Sequence, residues 1–145
     1  MTAEQLFSIC NTVILIPWLM LLILPAWKWT QRLVISGLFS LMYALVYLSL
    51  IVYVMVTGAG GMNFSSLAQI GVLFQSPWAL LAGWVHYLAF DLLVGAWEVK
   101  DARSRGISHW LLVPCLFFTF MLGPVGLLGY VFLRALSKKQ LVLEI

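Results

Sequence analysis

Four long apolar stretches, at about residues 6–26, 33–56, 78–99 and 108–134, restrict this chain to very few folds. Each supplies roughly the 20 helical residues needed to cross a hydrocarbon core about 30 Å thick. A composition of 63% hydrophobic and 9% charged residues, with a mean hydropathy of +1.05, lies outside the range of soluble domains. The runs are continuous rather than alternating with period two, which excludes a membrane β-barrel. The expected fold is all-α: one polytopic integral membrane domain over residues 1–145 with about four transmembrane helices. The intervening "MNFSSLAQIGVLFQSP" is uncharged and too short to span, so it is expected to form a short interfacial or re-entrant segment between the second and third helices.

The N-terminal "MTAEQLFSIC" carries Glu4 but no Lys or Arg, unlike a secretory signal or an organelle transit peptide. The first helix is therefore expected to be retained, in a bacterial inner membrane or a thylakoid membrane. The pI near 9.1 does not point to nucleic acid, because the basic residues are scattered at helix ends. Lys28 and Arg32 in the first loop, and Lys100, Arg103 and Arg105 in the third, suit the cytoplasmic side. Arg134, Lys138 and Lys139 oppose that orientation if the chain crosses four times. Trp27 and Trp29 beside Lys28 form an aromatic and basic collar at headgroup level. Cys10 and Cys115 fall inside predicted spans and suit packing better than a disulfide or redox pair.

Within the helices the polar residues form patterns. Asn11 is expected to make an interhelical hydrogen bond. Ser36, Ser40, Tyr43 and Tyr47 share one face of the second helix, which should look inward. Its tyrosines could line a pocket for a flat or polyene-like ligand, or simply pack with their hydroxyls on a carbonyl. Pro114 and the "GPVGLLG" of residues 123–129 should kink or break the fourth apolar stretch near Gly123 and Pro124. A broken helix at that depth needs protein or a cavity to cover its freed backbone groups. The "GAGG" of residues 58–61 lacks the Lys and Ser/Thr of a phosphate loop.

The third apolar stretch is the most informative. "HYLAFDLLVGAWEVKD", residues 86–101, places His86, Asp91, Glu98 and Asp101 in or beside a spanning helix. Asp91 and Glu98 are seven residues apart and share a face at about 10 Å separation. Tyr87 and Asp101 extend nearly the same stripe by a turn at each end, whereas His86 lies well around the helix. An ionised Asp in the hydrocarbon costs several kcal/mol, so such residues face the bundle interior or a wet cavity. Desolvation favours the neutral acid, the form a general acid needs. Asp91 is thus the leading catalytic candidate, with an interhelical polar contact as its ordinary reading. Glu98 lies nearer the interface, and Asp101, Arg103 and Arg105 read as loop charges. His86 and His109 suit either chemistry or hydrogen-bonded structure. No two of His86, Asp91, Glu98 and His109 stand three or four residues apart, so no metal is expected, and no haem or dinucleotide motif is present.

The run "HYLAFDLLVGAWEVKDARSRGISHWLLVPCLFFTFMLGPVGLL" resembles the abscisic-acid-deficient-four-like family, whose plant members are neoxanthin synthases. The resemblance rests on H-Y-x3-D-L-x-V-G-x-W, then D, G-I-x-H, P-C and G-P-x-G-L-L, all in the second half of the chain. It implies a membrane protein that isomerises an epoxy-carotenoid, violaxanthin to neoxanthin in type, or a related isoprenoid, without a cofactor. On that reading Asp91 is the acid and His86 the base, if a kink brings it around. Glu98 joins them as a catalytic candidate, and Tyr43, Tyr47, Trp84, Tyr87, Trp97 and His109 contact a long apolar substrate. The alternative is a non-catalytic subunit that binds pigment or lipid, or an assembly factor; a proton conductor along the acidic stripe is a third reading. Membrane lipid, a carotenoid or other long isoprenoid, and a homo-oligomer or membrane-complex partner are the expected associates, and nucleic acid is not.

Overall fold

The computed structural model describes residues 1–58 and 63–138; most of the "GAGG" stretch and Lys139 lie outside them. Among the described residues the chain is helical throughout, without strands. Helix α1 (Ala3–Ile23) starts from a reciprocal cap, in which the Gln5 amide donates to the Thr2 hydroxyl and the Thr2 amide to the Gln5 side chain. It stops before Pro25. The Leu24 and Pro25 carbonyls left there accept from the Thr30 hydroxyl and the Gln31 amide, each at 2.7 Å. Those donors belong to a π-helical turn, Thr30–Ile35, which ends at Gly37 with φ of 83° and opens α2 (Leu38–Thr57). The short helix α3 (Leu67–Leu73) is capped by Ser66 and is mostly exposed, as expected of an interfacial segment. Then follow α4 (Pro77–Ser104), α5 (His109–Leu122) and α6 (Pro124–Lys138).

Helix α4 is the hub. It packs on α1, α2, α5, α6 and the π-helical turn, and half of its most apolar window is buried. Asn11 meets Trp84, Trp18 meets Gly95, and Pro25 shares a cavity with Ala102, so α1 runs parallel to α4. Tyr53 lies on Trp78, Tyr47 on His86 and Gly37 on Leu93, so α2 runs antiparallel. A Cβ on Gly95 would come within 2.7 Å of the Trp18 ring, so the glycine is what lets α1 approach this closely.

Three helices, α1, α2 and α4, are long and apolar enough to cross a membrane. The fourth apolar stretch does something different. The expected break at Gly123 and Pro124 is present, and there the chain reverses instead of continuing across. Thr119 of α5 meets Glu98, Gly123 meets Asp91, and Tyr130 of α6 meets Trp97 and Asp101. Helix α5 therefore descends beside α4 as far as Asp91, and α6 climbs back. At 14 and 15 residues the two are about 21 and 22 Å long, short of a full crossing. Gly126 lies so close to Thr119 that a Cβ would sit 2.0 Å from its backbone nitrogen, whereas one on Gly129 would find the Cys115 sulfur at an ordinary 3.8 Å. On α6 the buried residues Gly126, Tyr130 and Arg134 form one stripe, and Val125, Leu128, Phe132 and Leu136 face outward. The hairpin thus turns its polar face to the bundle and its apolar face to lipid.

The hairpin changes the reading of charge. Lys28, Arg32, Lys100, Arg103, Arg105 and Arg134 all come to one end of the bundle, and α6 carries the chain on from that same end. The objection raised by Arg134 disappears once the last apolar stretch is a hairpin. By the positive-inside rule that end is expected on the cytoplasmic side, with the N-terminus outside. Green fluorescent protein fused to the C-terminus should therefore fluoresce in bacterial cells, and alkaline phosphatase fused there should be inactive. A further expectation concerns packing. Gly126→Ala should cost about 1–3 kcal/mol or more in unfolding by titration with denaturing detergent, because the added carbon has no room. Gly129→Ala should fall well below that range.

Candidate functional site

The acidic stripe of α4 and the α5–α6 hairpin meet side chain by side chain. Glu98 is fully buried and accepts the Thr119 hydroxyl of α5 on both carboxylate oxygens, at 2.9 and 3.1 Å. Asp101 is also buried, which corrects its reading as a loop charge, since α4 continues as helix beyond it. It accepts the Tyr130 hydroxyl at 2.5 Å and the Arg105 Nε at 2.9 and 3.0 Å, and the Arg134 guanidinium lies 3.4 Å away. Arg134 is itself 1% exposed. This cluster matches two cations to one carboxylate and a phenol in the bundle interior.

Asp91 differs from both. Its carboxylate packs on Gly123 at the hairpin tip, where φ is 48° and a Cβ would fall 2.6 Å from Oδ1. Its Oδ2 is sealed and has no partner at hydrogen-bond distance among the described residues. The Tyr87 phenol, one turn earlier, bonds the same carboxylate, and Glu98 lies two turns further along the same face of α4.

A groove opens just beyond. Because the hairpin stops at Asp91, the first half of α4 has no α5 or α6 beside it. The space between α1, the end of α3 and α4 is a cavity of about 570 Å³ whose walls include Phe7, Phe74, Leu81, Trp84 and Tyr87, with Glu4 at its mouth. Trp84 is fixed there by donating its indole N–H to Asn11 Oδ1 at 2.9 Å, the interhelical bond expected of Asn11. Tyr87 stacks on Trp84 and so joins the groove wall to Asp91.

The other candidates are dispersed. His86 is exposed on another face of α4, between Tyr47 and Phe90, and α4 remains an unbroken helix that does not bring it to Asp91. Tyr43 is buried and donates its hydroxyl to the Cys10 carbonyl at 2.7 Å, which ties α2 to α1. Ser40 and Tyr43 look inward as expected, while Ser36 is exposed in the turn before α2. Trp97 packs edge-on against Tyr130, and His109 donates Nε2–H to the Leu22 carbonyl at 2.9 Å. Thr119 and Tyr130 escaped the sequence reading, and Arg134 was read only as a topology charge, although the break at Gly123 was expected. Their signal is the spacing 123, 126, 130, 134, one helical stripe of small and polar residues after a Gly-Pro break.

Residues 5–130 match the ABA DEFICIENT 4-like family. The chain belongs to that family. No curated protein and no solved structure matches it. Membership, with the three long apolar helices, supports an integral membrane protein related to carotenoids or xanthophylls.

The Asp101 cluster carries a prediction for stability. Removing the carboxylate leaves the buried Arg134 charge without it, a change that costs about 3–5 kcal/mol for buried pairs. Asp101→Ala should therefore lower resistance to denaturing detergent by an amount in that range. Lys100→Ala, one residue earlier on an exposed face of α4, should have little effect in the same assay.

Proposed function

We propose that this ABA DEFICIENT 4-like protein isomerises an epoxy-carotenoid of the violaxanthin type, or a related isoprenoid epoxide, at Asp91. The observation that carries this reading is the unpartnered Oδ2 of Asp91, one helical turn from Tyr87, which bonds the same carboxylate and lines the apolar, aromatic-walled groove. A groove of about 570 Å³ suits the cyclic end of a long polyene, with the remainder lying in lipid. Trp84 and Tyr87 offer flat faces to the ring and chain, and the Tyr87 hydroxyl is placed to steer an oxygen toward Asp91.

The chemistry is a balanced isomerisation. Protonated Asp91 gives its proton to the epoxide oxygen as the C–O bond opens, which forms the alcohol. The proton then leaves the adjacent polyene carbon, and its bonding electrons form the allene. The base is the carboxylate that Asp91 has just become, because the carbon and the oxygen lie close together in the substrate. Glu98 then acts at one remove: held by Thr119, it sets the charge next to Asp91. His86, on the other face, belongs to packing with Tyr47 and Phe90.

Pigment analysis by liquid chromatography, in cells that make violaxanthin, tests this directly. Cells expressing the native chain should accumulate neoxanthin, and Asp91→Asn should lower its yield at least about 100-fold, the lower range for losing a general acid. His86→Ala should retain most of the yield. Native protein that co-purifies with carotenoid yet forms no new pigment would favour a pigment-binding subunit instead.

A further inference from the structure

We propose that the basic end of the bundle carries an anionic phospholipid site between α1 and the start of α5, separate from the groove at Asp91. Two cavities meet there. One, of about 210 Å³, is lined by Pro25, Val99, Arg103, Ile107 and His109. The other, of about 710 Å³, runs along α5 past Leu22, Val113, Pro114, Phe117 and Phe118. Pro25 and His109 line both, so the two cavities adjoin, and the proposed lipid runs from one into the other as a channel. Its small part has a guanidinium in the wall, and its large part is almost wholly apolar. A phosphate-bearing head and an acyl chain have this same division.

The charge at this end selects the sign of the occupant. Arg103 is exposed and stands apart from the sealed Asp101 cluster, and Lys28, Arg32 and Lys100 come to the same end. Each basic residue near the membrane surface attracts an anionic head, and a zwitterionic one gains little. Helix α5 adds to this. Ser108 gives it no side-chain cap, and its carbonyl takes the Leu111 and Leu112 amides, which leaves the His109 and Trp110 amides at the same level. The hydrogen bond from His109 to the Leu22 carbonyl holds α5 to α1 at the junction and keeps the channel shaped with no lipid bound. The channel continues from headgroup level into the apolar layer, as a lipid does, and this distinguishes the site from one for a free anion.

Native mass spectrometry of the purified full chain tests the assignment. Phosphatidylglycerol and phosphatidylcholine of identical acyl chains are added separately, with inorganic phosphate as control. Phosphatidylglycerol should be retained preferentially. Arg103→Gln should lower that preference about fivefold, the worth of one basic residue near a membrane surface. Val113→Trp, which fills the apolar part of the channel, should reduce retention of both lipids. Equal retention of the two lipids, a preference unchanged in Arg103→Gln, or retention unchanged in Val113→Trp would overturn the proposal. Inorganic phosphate bound as strongly as phosphatidylglycerol would overturn it too, because the acyl channel would then contribute nothing.

Discussion

Three carboxylates on one face of α4 hold the α5–α6 hairpin in place. A helical hairpin of 14 and 15 residues has too little length to be fixed by crossing the bilayer, and lipid supplies no hydrophobic drive to press it onto its neighbours. It is fixed instead at three depths: Thr119 on Glu98, Tyr130 and Arg134 on Asp101, and Gly123 on Asp91. The interactions are mutual. Without the hairpin, three acids would face lipid at several kcal/mol each, and without the acids Arg134 would be buried without its carboxylate. Gly126 permits the arrangement, because only a residue without a side chain lets α6 lie against the Thr119 backbone.

The groove follows from the same constraint. A fourth helix spanning the full thickness would have covered the first half of α4. A hairpin that turns at Asp91 leaves that half open between α1 and α3, with a buried acid at the boundary. Site and scaffold are thus two outcomes of one break at Gly123 and Pro124. The break also brings both ends of the hairpin to the basic end of the bundle, so that charge distribution and helix packing agree on a single orientation.

Much of this was legible in the sequence, and the limits have physical causes. Continuous apolar runs disclosed the helices, and heptad spacing placed Asp91 and Glu98 on one buried face while setting His86 apart. Asn11 and the break at Gly123 were readable because a lone amide and a Gly-Pro pair in an apolar run have few outcomes. The reversal was not readable. Hydropathy reports that residues 108–134 prefer lipid to water, and a hairpin satisfies that preference as well as a spanning helix does. The clue was the buried stripe of Gly126, Tyr130 and Arg134, whose meaning depends on knowing that α4 offers Asp101 in return. Asp101 was read as a loop residue because charge is a guide to exposure only where no partner is present. The partner here stands 33 positions away in the chain.

The same logic separates the acid suited to chemistry from those that serve structure. Asp101 receives a phenol and a guanidinium, whereas Glu98 has the single Thr119 hydroxyl, within reach of both its oxygens and of the Cys115 carbonyl. Asp91 has the Tyr87 phenol on its carboxylate and, toward the hairpin tip, Gly123, which has no side chain to donate. The close approach at the hairpin tip demands glycine, since a Cβ there would overlap the carboxylate, and glycine leaves Oδ2 unanswered. A fold selected for stability alone would exchange Asp91 for Asn, Leu or Met and lose nothing in packing on Gly123. An acid in this place, beside the Tyr87 phenol, is what the proposed proton transfer requires, and its burial keeps that proton away from water.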